Sequence, residues 1–587
     1  MRHVGLAVLK PYAKVEAMPY IAQASIFLLL LTVSAMAQPT IGGIVNAGSY
    51  ATAPLDANSN PIGSNNIAQG SYFVIFGAGM GPASIVVAPG LPLQTSLPDA
   101  NGTSISISTG GQTVNAYLYY TAAGQVSAIL PSNTPVGPAN VTVTYNGQAS
   151  KPVAINVVKS QLGLFTQNSQ GNGPTVAQVF SGSTNFRMGL TNPAHPGDTV
   201  VIVGTGLGGI SGPDNDVPGA VPVGSNVTVT IGGIITPATY AGRAPQFPGE
   251  DQINFVVPAN VPTGCYVPAS VTASGQVSQD VVLSIASAGV SACVHPFGLS
   301  QSALATLDSG GTVNAGFFQA LTAFVAQVGG QIQGAGGLFD NVNANGVFQM
   351  YNRIPVAFGV ISYPAPLNSC VVIEQLNTGA GFTVPNFSTI GGTELIADPL
   401  LMTMSGPGGS ANVLHQDTGG YLGVFLPPIL GPGSWTLSSN GGADVGAFSA
   451  KVTLPDNLNW TNAGNFSTVP RSDQGITILW SGGNLSASSV VTVFGNSTVV
   501  NVKDPSLTRG KSFYCAAPAS AGKFVVPGSV VLQIPSSATA SGETAYGALG
   551  ITTGGLGSFT ASLTKGTLDA GVMAYGEAYV LSVKYAQ

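Results

Sequence analysis

The stretch TVVIVGTGLGG places Gly204, Gly206 and Gly209 at G-x-G-x-x-G spacing behind a β-branched run. Backbone amides freed by such glycines cradle the pyrophosphate of a dinucleotide when a helix opens at the third glycine. Here Ser211 to Pro218 follows (SGPDNDVP), which is turn-rich, and a related stretch earlier in the chain has Pro82 at the third position. The glycines are therefore expected to make a tight strand exit. Gly510-Lys511-Ser512 resembles the end of a P-loop, but Pro505 stands where its first glycine is required. Asn341, Asn343, Asn345 and Gly346, beside Asp340, imitate the start of a calcium loop. Asn352 occupies the twelfth position, where a bidentate Glu belongs, so a plain Asn-Gly turn is expected. Asp214 with Asp216, and Glu250-Asp251 beside Gln252-Ile253-Asn254, are two further acidic pairs. His195, His295 and His415 lie in separate regions. There is no H-E-x-x-H or G-x-S-x-G, and the scattered carboxylates nominate no glycosidase pair. Trp435, Trp460 and Trp480 could form a sugar platform, yet their alternating contexts favour core positions. No catalytic, cofactor-binding or metal-binding residue is expected, and the chain reads as a non-enzyme.

The elements that would carry these residues are organised by a repeat. Gly70-Ser71-Tyr72-Phe73-Val74-Ile75-Phe76-Gly77-Ala78-Gly79-Met80-Gly81 matches the stretch from Gly197 to Gly208, 127 residues on. SISISTGG from Ser104 parallels VTVTIGG from Val227, and the block from Gln125 parallels that from Gln252 at the same 127-residue spacing. One module has been duplicated. VTVTYNGQAS alternates and then turns at Asn146-Gly147, a hairpin signal. Thr228, Thr230 and Thr272 take outward positions between inward apolar residues. Short strands with frequent Pro and Gly define an all-β chain of tandem immunoglobulin-like sandwiches, residues 38–158 and 159–297, followed by a β-rich region, 298–587, of one or two further sandwiches.

The ordered blocks VNAGSY, the FGAGMG strand, PAHPGDTVVIVGTGLG, VTVTIGG, ATYAG and QINFVVPANVPTG resemble the Solibacter-type domain of secreted acidobacterial proteins. That domain is similar to IPT/TIG immunoglobulin-like folds. The resemblance covers residues 43–286 and implies architecture and export, with no chemistry attached.

In the C-terminal part, Leu304 to Gly311 reads as a strand and turn, and Phe317 to Val328 as a short helix. Strands are expected from Val371, Leu400, Ser434, Ile476, Ser489 and Ser529. LMTMSGPGG, GPGSWTLSSNGG, VPRSDQGITILWSGG and SFYCAAP resemble, more loosely, the region commonly joined to the same domain family. The four cysteines, Cys265, Cys293, Cys370 and Cys515, lack C-x-x-C spacing and allow three connectivities. Cys265–Cys293 with Cys370–Cys515 is favoured, because local loops need the least rearrangement. The first bond would tie the end of the second module to its own last strand, and the second bond would suit the C-terminal resemblance.

Arg2, Lys10 and Lys14 precede the apolar run from Ile21 to Val33, and Ala35 and Ala37 follow it. This is a secretory signal with cleavage expected between Ala37 and Gln38, or a shorter one starting at Met18. No membrane span is expected after cleavage. Charged residues are 6% of the chain at a formal charge of −6, and hydrophobic residues are 44%. That balance argues against disorder and against nucleic acid as a partner. The expected function is non-catalytic: a secreted or cell-surface protein for adhesion, display or scaffolding, with an unknown extracellular protein or polysaccharide as partner. Polysaccharide binding is the alternative, and a hydrolase with an unrecognised site in the C-terminal region is the second.

Overall fold

The computed structural model describes residues 38–50, 66–99, 101–223, 226–325, 330–357, 368–374, 392–417, 419–456, 458–482, 490–501, 509–539 and 542–587. The expected signal and Ala37 lie outside them. Gln38–Gln587 forms one compact unit. The all-β expectation holds: strands dominate the described residues.

In the first module, Thr40–Asn46, Tyr72–Ala78, Gln125–Ile129, Tyr117–Thr121 and Val86–Val87 form one sheet. Asn66–Ala68, Val153–Val158, Gly137–Tyr145, Thr103–Thr109 and Ser96–Leu97 form the main path of the other. Strict alternation makes this a sandwich. In Thr103–Thr109, Ile105 and Ile107 are fully buried while the serines between them are not. They meet Phe73, Ile75 and Val126 from the facing sheet and Val141 from the neighbouring strand. Each fully buried side chain of this size contributes about 1.5–3 kcal/mol. Asn146 and Gly147 both take positive φ (49° and 75°), the backbone of a tight hairpin turn between Gly137–Tyr145 and Gln148–Ala149.

The duplication is visible in the strand bounds. Tyr72–Ala78 recurs as Thr199–Thr205, and Gly137–Tyr145 begins again at Gly264, both 127 residues on. The second module differs in one strand. Where the first has Gln112–Asn115 and Tyr117–Thr121 broken at Ala116, the second runs on as Ile234–Arg243. That strand pairs Thr228–Ile231 with its first half and Asp251–Val256 with its second, across a bulge between Ala238 and Tyr240. One bent sheet thus supplies both layers around Val200, Ile202, Val229, Ile253, Phe255 and Leu283. Thr228, Thr230 and Thr272 point outward as expected.

The C-terminal region is built on one long sheet running from Ser369–Glu374 to Gly446–Leu454. At its centre Val313–Val325 pairs antiparallel with Gly330–Val342 and parallel with Ala570–Ser582. The sheet curls so that Gly446–Leu454 returns against Glu543–Ser558 and Ala570–Ser582 around a core containing Phe318, Phe339, Trp435 and Phe448. A small sheet of Asn459–Trp460, Ile476–Ser481 and Lys523–Val526 covers a second core at the other end. A further β-sandwich region therefore follows the tandem modules.

Four local expectations fail here. Phe317 to Val328 was expected to be helical, but Val313–Val325 is a strand. Its odd-numbered Phe317, Leu321 and Ala323 enter one core and its even-numbered Phe318 and Ala320 another. A strand buried on both faces shows no period-2 signal. The expected strand from Leu304 is the helix α1, Gln301–Asp308, started by the Ser300 hydroxyl accepting from the Ala303 amide. Gly346 falls in the first turn of α2, Ala344–Ala357, with Asn343 capping its amide, so the expected Asn-Gly turn is a strand-to-helix junction. The segment from Ser529, also expected as a strand, contains the helical turn α3, Gly528–Val531, following Pro527.

Candidate functional site

The glycine-rich exit of Thr199–Thr205 encloses a carboxylate of the protein's own. The amides of Gly206 and Leu207 both donate to Asp251 Oδ2 at 2.7 Å. Arg243 Nη1 donates to Asp251 Oδ1 at 2.9 Å, and its Nη2 to the Gly208 carbonyl at 3.1 Å. Gly206 and Gly208 adopt φ of 108° and 145°, which side chains resist, and this conformation turns the amides inward. Arg243 and Asp251 are 1% and 0% exposed. Burial pushes the Asp251 carboxyl up to about 6, with Arg243 and the two amides pulling the other way. The arrangement binds an anion as a nucleotide loop does, but the anion is internal. The expected tight strand exit is what the structure shows.

This cluster sits against the first module. Ser132 donates to Asp214 from its amide and its hydroxyl, both at 2.6 Å, and accepts from the Ile210 amide. Asn46 Nδ2 donates to the carbonyls of Gln161 and Thr205, while the Tyr72 amide donates to Thr205 Oγ1 at 2.8 Å. Leu93 and Asn215 exchange two further bonds. Burial raises the Asp214 carboxyl. At the far end of the second module, Asp308 of α1 accepts from the Leu190 and Thr191 amides, and Asp280 accepts from the Val372 amide. The junctions are packed and crossed by hydrogen bonds, not linkers.

Between the two duplicated modules lies a cleft of about 610 Å³. Tyr50, Tyr72, Tyr119 and Tyr120 line it from the first module; Phe165, Gln246, Phe247 and Glu250 line it from the second. Tyr72 and Tyr119 meet edge to face at 5.6 Å. Tyr119 and Phe247 are 45% and 57% exposed. Burial, then the neighbouring Asp251, pushes the Glu250 carboxyl up to about 7. The sequence named Glu250 but not the aromatic wall, whose members are scattered from position 50 to position 247.

The remaining sequence candidates have structural partners. Asp216 caps the Val217 amide, and Gln252 Nε2 donates to Asn254 within the strand. Gly510-Lys511-Ser512 lies extended in Arg509–Pro518. His195 Nε2 bonds the Val290 carbonyl. His295 is buried against Tyr266, and burial lowers its pKa to about 3. His415 Nε2 meets Glu394 Oε1 at 3.0 Å. Asp340 is buried in its strand, opposite Glu394 on the neighbouring one. Trp435, Trp460 and Trp480 are 0%, 3% and 4% exposed, their indole N–H groups bonded to Gly431, Asn462 and Ala519. They form no sugar platform; they are core, because each indole finds both apolar contacts and an acceptor inside.

Among the described residues, no three His, Cys, Asp or Glu side chains gather to hold a metal. No described helix is long and apolar enough to cross a membrane. The disulfides are Cys265–Cys293 and Cys370–Cys515, the favoured pairing. Cys293 lies beyond the last strand of its module, so the first bond ties Gly264–Ala273 to the connection toward α1 and not to that strand. Cys370 and Cys515 face each other across adjacent strands. Two such bonds suit an oxidising, extracytoplasmic compartment.

No family model matches the chain, and no curated protein matches it. Among solved structures it is similar to a bacterial ice-binding adhesin, at 10% identity and a TM-score of 0.12, over 66% of this chain and 91% of that one. It is also similar to domains 5–6 of the S-layer protein SbsC, at 12% identity and 0.13, over 43% and 99%. A titin fragment matches at 9% identity and 0.12, over 70% and 93%. The all-β character stands on the strands themselves.

Proposed function

We propose that this chain is a non-catalytic protein, secreted or held at the cell surface, that serves adhesion, display or scaffolding as a stiff multi-module body. Membership of the Solibacter-type domain family belongs to the same reading. The observation that carries it is the locked junction between the duplicated modules. A sealed Arg243–Asp251 pair, Asp214 on Ser132 and Asn46 on Thr205 join surfaces that flexible tandem proteins leave apart. A scaffold needs fixed spacing, and buried hydrogen-bonded polar groups at the junction supply it through geometry. The low charge and oxidised cysteines fit a cell exterior.

Small-angle scattering tests the reading. The expected profile is that of one rigid particle, with Asp251→Ala giving a broader distribution of dimensions. A wild-type profile of independently moving modules would overturn it, as would recovery of the native protein from cytoplasmic fractions.

A further inference from the structure

We propose that the cleft between the duplicated modules is a binding site for a neutral oligosaccharide. The proposal rests on the locked junction, since the two walls of the cleft belong to different modules and form a site only at fixed separation.

The lining decides the ligand class. Tyr72 and Tyr119 stand nearly perpendicular, at 65°, and Phe247 faces them from the second module. Tyr119 and Phe247 keep 45% and 57% of their surface in water. Exposed aromatic rings in a concavity offer flat apolar faces, which suit the C–H faces of pyranose rings. The polar groups beside them include Gln246 and Glu250, with Ser127, Thr166 and Ser169. Among the described residues the Glu250 side chain has no hydrogen-bond partner, so its carboxyl is free to accept from ligand hydroxyls, and Gln246 can both donate and accept.

Charge narrows the class further. Among the described residues no Lys or Arg lines the cleft, and the nearby Arg243 is committed to Asp251 and the Gly208 carbonyl. A phosphate or polyanion would find no counter-charge. A purely apolar ligand would leave Gln246 and Glu250 unmatched. The volume of about 610 Å³ suits a few sugar units and excludes a folded partner.

The test titrates cellotetraose, xylotetraose and chitotetraose, with tetramethylammonium in parallel, into the purified protein, followed calorimetrically and by saturation-transfer NMR. At least one tetrasaccharide is expected to bind. Tyr119→Ala and Phe247→Ala, both at exposed positions, should each weaken it about tenfold. Leu426→Ala, exposed in the C-terminal region, should leave it unchanged. Binding of none of the sugars, equal binding by both aromatic variants, or capture of tetramethylammonium in place of sugar with loss on Glu250→Gln would each overturn the proposal. Scattering on the same sample separates the two readings. A rigid particle that binds no sugar defeats the cleft alone, whereas freely moving modules defeat the junction and the cleft together.

Discussion

In the first module, the turn that leaves Tyr72–Ala78 is held by the Met80 amide donating to the Ala123 carbonyl at 3.0 Å. In the second, the matching turn after Thr199–Thr205 is held by the Asp251 carboxylate and its Arg243 partner. By strand pairing, Ala123 and Gly124 of the first module stand where Arg243 and Asp251 stand in the second. The second copy's turn lies at the junction, where Arg243 Nη2 and the Gly208 carbonyl approach Gly70. A backbone bond suffices at the first site, whereas the site sealed between modules must satisfy two amides and a carbonyl out of water. One duplicated strand exit has become a joint.

The largest expected effect breaks that joint. Asp251→Ala leaves Arg243 buried without its partner and should cost about 3–5 kcal/mol in denaturant unfolding. Arg243→Met with Asp251→Asn should recover much of the loss, because an uncompensated charge is the greater part of it. Equal losses in the single and double variants would contradict this account.

The second module also has a disulfide, where the first has Pro138 at the position matching Cys265. Replacing Cys265 and Cys293 with Ser opens a loop of 28 residues and should cost about 3–4 kcal/mol by chain entropy. Hydrogen exchange should show faster opening in the second module and none in the first.

Acidity should distinguish the copies as well. The first module has Asp56 and Asp99 as its carboxylates, while the second carries Glu250 and Asp251, raised to about 7 and about 6. A raised folded value means the native state holds these protons more tightly than the unfolded chain. Their stability contribution is complete below about pH 4 and declines as pH rises toward 7. His295, lowered to about 3, acts oppositely, stabilising above about pH 6.5 and losing that stability as pH falls toward 3. Glu250→Gln removes part of the first trend and leaves the second. The wild-type minus variant difference in thermal midpoint should therefore shrink from pH 5 to pH 8, and a difference flat with pH would count against the shifted carboxyl.

The smallest effect concerns the matching hairpins. Asn146-Gly147 turns the first, and Ser274-Gly275 the second, with Ser274 at φ 51°. Asn tolerates this conformation better than Ser, so Ser274→Asn should stabilise by about 0.5 kcal/mol and Asn146→Ser should cost a similar amount.

What the sequence showed depended on whether neighbours in the chain are neighbours in space. The Asn146-Gly147 hairpin and the 127-residue spacing were legible because turn chemistry and duplication are local or periodic. Phe317 to Val328 misled because apolar residues on both faces erase the period that separates strand from helix. Gly204, Gly206 and Gly209 were legible as a tight strand exit, but nothing local said that the Asp251 carboxylate would fill it. The cleft was illegible for the same reason: Tyr50, Tyr119 and Phe247 come to line one cleft only when two sandwiches dock.

The parallel pairing of Val313–Val325 with Ala570–Ser582 carries a consequence for time as well as shape. Ala315 meets Ala570, and Val325 meets Val580, so the centre of the long sheet stays open until the ribosome has delivered residue 580. The two duplicated modules use partners from residues 40–285 and can close first. Long-range pairing of this kind is slow. Until that pairing forms, one side of Val313–Val325 is an unpaired strand edge, the kind of surface that invites association with other chains.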